Sequence, residues 1–491
     1  MSDAAAPASA PRHTARRMAR NTVVLAIGRN LVALSRLVVV VLITRQMGAE
    51  TFAEYALLIA LLTVAEGVLD FGSTEVYVRE ILGQPARRQA LLRLLSAGRL
   101  VQIPLAFGLV VALAVGLHYP VSRVEAAAVG GISLAFLGLA MVYRAVFRAD
   151  LTMERDVAAE LASVAVMVAG VLLAVRWEAG ILGVMLAHVA SRAVYALAAA
   201  WLGRASFRLS IQGVTRADLA WSARACWAIG IAGMMVMLYD PLDILLLSHF
   251  GSLADVARYS AAQRLSWPVL MALSAVGGTL YSVLATAWPG DRERFARLCQ
   301  RGVDAVLVLG GAAAAALMAG AEFLLGILGP ALVEGSDVLR VLSVLVVVKG
   351  VSMTVGPTLL IMHAQRAMLT MIGAALVLKL LVLAWVVPRY GALGVAWSAL
   401  AIDSVVLVLP VLVVTARATG MRLHPGVALR VMALCGVSVA LARWAFAGHA
   451  VLPLLAAPAL YAVLAVVSRT VRWQDFRELR SAKVAVPAAT A

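Results

Sequence analysis

The sequence predicts an all-α polytopic membrane protein, and three observations carry that prediction. Its 491 residues are 63% hydrophobic and only 14% charged, with a mean hydropathy of +0.94. Apolar runs of about 20 residues, the length a helix needs to cross a bilayer, recur along the whole chain. Basic residues collect at the edges of those runs rather than in one stripe, as the positive-inside rule requires. The net charge of +16 is therefore a topology signal, and nucleic acid is not an expected partner.

Taken in order, residues 1–21 form a polar Ala/Pro/Arg stretch with no small-residue cleavage site after a short apolar core, which reads as a retained cytoplasmic tail. About fourteen spans follow, at 22–46, 52–72, 91–116, 121–147, 157–175, 180–203, 222–247, 256–287, 302–325, 338–363, 366–387, 392–416, 427–446 and 451–469. Connections are too short for a soluble domain. The basic residues of the loops fall about 25 on one side and about 6 on the other, which places both termini in the cytoplasm. Cys226, Cys299 and Cys435 show neither a paired nor a metal-ligand spacing.

Two stretches echo each other at similar offsets. Met47–Leu62 is matched by Phe250–Leu265, and Gly180–Arg192 (GILGVMLAHVASR) by Gly391–Asp403 (GALGVAWSALAID). The expected organisation is thus a parallel repeat of two six-helix lobes, 22–206 and 215–417, followed by two additional helices within 425–470 and a cytoplasmic tail, 471–491. Parallel repeats of this kind are a transporter signature, with the substrate site between the lobes.

Charged residues inside the spans are the candidate functional groups. Helix 1 carries Arg29 and Arg36 on one stripe, about 10 and 21 Å from its start at 1.5 Å per residue. Arg29 is close enough to the inner headgroups to snorkel, or to pair with Glu66 or Asp70 on the next helix. Arg36 is central, and a lipid-facing charge there costs at least about 2.5–3.5 kcal/mol. Arg264, Lys349 and Lys379 join them as deep cations. Arg192 and Asp403 hold matching repeat positions, nine residues after the second glycine of each motif, and suggest a charge pair across the lobes. Asp240 and Asp243 bracket Pro241, which marks either a helix end or freed carbonyls able to hold a cation. Deep cations outnumber deep anions, and arginine forks suit phosphate oxygens.

The stretch LVVVVLITRQMGAETFAEYALLIALLTVAEGVLDFGSTEVYVRE resembles the second-helix region of polysaccharide-repeat (O-antigen, Wzx-type) flippases of the multidrug/oligosaccharidyl-lipid/polysaccharide exporter superfamily. YSAAQRLSWPVLMALSAVGGTLYSVLA resembles their eighth helix and YGALGVAWSALAID their twelfth. The resemblance implies two lobes around a V-shaped cavity, alternating access and no chemistry on the substrate, an undecaprenyl-diphosphate-linked oligosaccharide moved between leaflets of the bacterial inner membrane. It further implies that Arg29, Arg36 and Arg264 meet that substrate; Lys349 and Lys379 are added by depth. No cofactor or metal is expected beyond an H+ or Na+ coupling ion, for which Glu66, Asp70, Asp240 and Asp243 are the candidates. A polysaccharide polymerase and a chain-length regulator are the implied protein partners. Two alternatives stay open: a cation-coupled multidrug antiporter of the same fold, and a membrane-embedded polymerase or glycosyltransferase.

Overall fold

A computed structural model describes residues 28, 32, 34–421 and 425–468, the side chains of Ser282 and Pro425 excepted. These residues are helical, without a strand among them. Eleven of their helices are long and apolar enough to cross a membrane. The count of about fourteen spans is approximate for identifiable reasons. The first span lies partly outside the described residues, the last shortens to Leu452–Val467, and the two expected at 366–387 and 392–416 merge into one 55-residue apolar run. That run is broken at Gly391, whose φ of +52° and ψ of −141° are not helical.

Chain packing divides the described residues into two units. The first runs to Ser260 and includes Leu383–Gly391. It contains α1 (34–46), α2 (Ala49–Asp70), α3 (Ser73–Gly83), α4 (Arg88–Gly116), α5 (Val121–Ala149), α6 (Met153–Arg176), α7 (Gly180–Gly203), α8 (Arg216–Tyr239) and α9 (Pro241–Phe250). The expected span 222–247 is interrupted here: α8 ends at Tyr239, and Pro241 opens α9 at the first-turn position, where its missing N–H costs nothing. The chain turns between α2 and α3 through Phe71 and Gly72, both at positive φ. α5, α6 and α7 pack closest together. Small residues permit it: a Cβ on Gly170 would meet the Ala187 Cβ at 2.6 Å.

The second unit comprises Ala261–Val382 and the described residues from Ala392 onward. Its elements are the larger part of α10 (Leu253–Ala287), α11 (Arg292–Ala319), α12 (Ala321–Leu328), α13 (Ser336–Ile361), α14 (Gln365–Ile402), a π-helical turn Asp403–Val408, α15 (Leu409–Thr419), α16 (Pro425–Ala445) and α17 (Leu452–Val467). The two additional C-terminal helices pack on α11, where Val431, Cys435, Tyr461 and Ala465 surround Ala314 and Ala315. The packing boundary does not coincide with the repeat boundary near 206–215, because α8 and α9 pack against α2. The repeat glycines nonetheless share a positive φ. Gly180 and Gly391 both adopt left-handed backbone, at φ +56° and +52°.

Candidate functional site

In the first unit, charged side chains meet as pairs inside the spans. Arg29 lies outside the described residues. Arg36 of α1 donates from Nη2 to Glu160 Oε1 of α6 at 2.9 Å. Arg36 lies ten residues before the C-terminal end of α1, about 15 Å of helix rise. Over half of its side chain is exposed (54%), whereas Glu160 is 18% exposed. Helical periodicity explains why Glu160 faces inward: Asp156, Glu160, Ser163, Met167, Val171 and Ala174 follow one another at three- and four-residue steps.

The other candidates find partners that their sequence positions did not suggest. Arg192 of α7 donates to Glu66 of α2 at 3.2 Å. Both residues belong to helices of the first unit. Asp70 instead receives Arg99 at 3.0 Å, and the fully buried Arg99 also donates to the Leu69 carbonyl, Thr74 and Gln102. Asp240 stands at the junction between α8 and α9. Asp243 is buried and accepts from the Tyr259 hydroxyl at 2.7 Å.

In the second unit, Lys349 of α13 approaches Asp403 at 3.9 Å. Asp403 opens the π-helical turn, a wider winding often found at functional positions, and its side chain is 3% exposed. Lys379 on α14 is buried and Arg264 on α10 half-buried. Beyond the end of α11, Glu322 on the short α12 accepts from Arg443 at 2.9 Å and Arg340 at 2.6 Å. The Arg443 hydrogen bond, reinforced by Arg340 against partial burial, holds its carboxyl below the usual carboxylate range.

Of the expected deep cations, Arg36 thus meets Glu160 and Lys349 approaches Asp403. A buried charge whose partner is absent is strongly destabilising, which favours such pairing. Sequence reasoning passed over Glu160, Arg99 and the set Arg144–Asp156–Tyr195. In that set Arg144 Nε stands 3.3 Å from Asp156, and the Tyr195 hydroxyl donates to Asp156 at 2.6 Å. The signal was present: Glu160 and Arg99 fall inside the expected spans 157–175 and 91–116, where any ionisable residue is a functional or pairing candidate.

Structural comparison finds solved membrane proteins that share this helical fold. The lipid II flippase MurJ in an inward closed conformation superposes with a TM-score of 0.76 at 10% identity, covering 91% of this chain and 99% of that one. An inward-facing multidrug resistance MATE family transporter of the MOP superfamily gives 0.63 at 17% identity, with 81% and 98% covered. A MOP superfamily transporter from Pyrococcus furiosus, described as having a binding pocket of reverse polarity, gives 0.58 at 17% identity, with 83% and 96% covered. The sequence comparison with curated proteins gives no match. The polysaccharide biosynthesis protein family model matches residues 18–288, more than half of the chain, and the chain belongs to that family.

Proposed function

We propose that this protein is a flippase that carries an undecaprenyl-diphosphate-linked oligosaccharide from the cytoplasmic to the outer leaflet of the bacterial inner membrane. In this reading both termini are cytoplasmic, and the product feeds assembly of an O-antigen, capsule or exopolysaccharide by a polymerase and its chain-length regulator. The observation that carries the reading is Arg36. An arginine side chain more than half exposed inside an expected span is tolerable only where that surface is hydrated, since lipid exposure would cost about 2.5–3.5 kcal/mol or more. A hydrated arginine fork at that depth suits a diphosphate that must cross while its polyprenyl tail stays in lipid. No bond is made or broken. Alternating access moves the headgroup through a path to which Arg29, Arg264, Lys349 and Lys379 contribute further positive charge, with H+ or Na+ as coupling ion.

The test is complementation of a strain lacking a polysaccharide-repeat flippase, at matched membrane levels. Wild type is expected to restore surface polysaccharide, Arg36→Ala to fail and Arg36→Lys to restore part of it. Full rescue by Arg36→Ala would make the arginine structural and remove the support for this path. The carboxylates beside the embedded cations give the multidrug antiporter reading its one specific observation, and drug efflux without polysaccharide rescue would select it.

A further inference from the structure

Glu160 differs from the other embedded acids in what it closes upon. Its partner Arg36 is 54% exposed while Glu160 itself is 18% exposed, so the carboxylate is the more buried partner and takes one of the guanidinium's five N–H donors. The groups around Glu160 come from each helix packed near it. They are Arg36 from α1, Arg144 from α5, Tyr195 from α7, and Asp156 one turn earlier on α6. His188 and Arg192 of α7 stand further along, with His188 within electrostatic reach of both Arg36 and Arg192. Among the described residues, Arg36 and Arg144 balance Glu160 and Asp156, and Arg192 balances Glu66. An anion arriving at Arg36 therefore competes with a carboxylate and adds negative charge beside it.

We propose that Glu160 is the displaceable counter-ion of an anion site at Arg36, and that an isoprenyl diphosphate binding there places one proton on Glu160. The inference rests on the flippase reading and specifies its coupling ion. The Arg36 Nη2–Glu160 Oε1 hydrogen bond breaks, and a phosphate oxygen takes that N–H. A proton from water forms an O–H bond on the Glu160 carboxyl. When the diphosphate leaves, the proton returns to water and the ion pair re-forms, so the exchange is balanced with no other reactant.

The experiment is calorimetric titration of farnesyl diphosphate into the purified full chain in detergent, in two buffers of different ionisation enthalpy, from about pH 6 to 8. Subtracting the E160Q titration removes protons that belong to the diphosphate itself. Wild type is expected to take up close to one proton more than E160Q and to lose affinity by up to about tenfold more per pH unit. E160D is expected to keep the uptake, and Arg36→Ala to lose most of the affinity. Equal uptake by wild type and E160Q, with binding intact, would overturn the role of Glu160 while leaving the flippase reading standing; loss of the uptake in His188→Gln would assign the proton to the imidazole instead. Wild type that binds no farnesyl diphosphate at any pH would overturn both.

Discussion

Removing the Asp70 carboxylate should cost more stability than removing the Arg99 guanidinium that it holds. The Arg99 side chain is completely buried, while Asp70 is 25% exposed. In Asp70→Ala the guanidinium keeps the Thr74 hydroxyl at 3.0 Å and Gln102 at 3.1 Å but has no counter-charge, a loss of about 3–5 kcal/mol for breaking a buried pair. In Arg99→Leu the apolar replacement suits the buried site, and the remaining carboxylate reaches water through its exposed quarter. That loss should be about 1–3 kcal/mol. The double variant should recover part of the difference, with a coupling of about 1–3 kcal/mol between the sites. Thermal unfolding of the detergent-solubilised chain, followed by tryptophan fluorescence, reads this directly. At about 2 °C per kcal/mol, Asp70→Ala should lower Tm by about 6–10 °C and Arg99→Leu by about 2–6 °C. Equal shifts, or a double variant whose loss is the sum of the two, would refute the argument that burial of the cation sets the cost.

The matched glycines offer a paired test of the backbone. Gly180→Ala and Gly391→Ala should each lose about 1 kcal/mol for the left-handed conformation, and Gly391→Ala more, because its Cβ would meet the Asp255 carboxylate at 2.9 Å whereas Gly180 faces open space; relative Tm values check the order. At Gly311 a new Cβ would lie 2.5 Å from the Tyr461 hydroxyl. Gly311→Val should therefore destabilise the α11–α17 packing by about 1–3 kcal/mol, and Tyr461→Ala should return part of it on the same thermal assay. For Glu322 the folded carboxyl lies below its ordinary 4.5, so its contribution is present above that value and is lost as pH falls through the lowered one. Tm profiles of wild type and Glu322→Gln should differ at neutral pH and converge in acid; a constant gap would contradict the ion-pair account.

How far the sequence carried the site depends on the residue. Arg36 and Lys349 were legible because an ionisable side chain inside an apolar run of membrane length needs an explanation wherever it points. Glu160 and Arg99 carried the same signal in expected spans. They were passed over because depth was used to rank cations, while the acids near them were treated as secondary. Asp240 and Asp243 were flagged around Pro241, but only the structure showed that Pro241 opens a helix and that Asp243 accepts from Tyr259. The Arg192–Asp403 expectation came from matching positions in a repeat; within its own unit, Arg192 meets Glu66 and Asp403 meets Lys349.

What the sequence by itself determined is the number and length of the helices, to within a few breaks. Hydrocarbon thickness sets how many apolar residues a span needs, and the absence of water forces each backbone to satisfy its own hydrogen bonds, so both constraints act along the chain and are written in its order. The glycines of the two GxxGV motifs belong to the same category, since the left-handed backbone there is a local demand. Partner choice was decided only by tertiary structure. Each residue turns a helix by about 100°, so which acid an arginine meets depends on which helix adjoins it and on how both are rotated. Glu66 meets Arg192, and Asp403 meets Lys349, because those helices of each unit lie side by side; a low-dielectric interior then makes the nearest opposite charge the one that is kept.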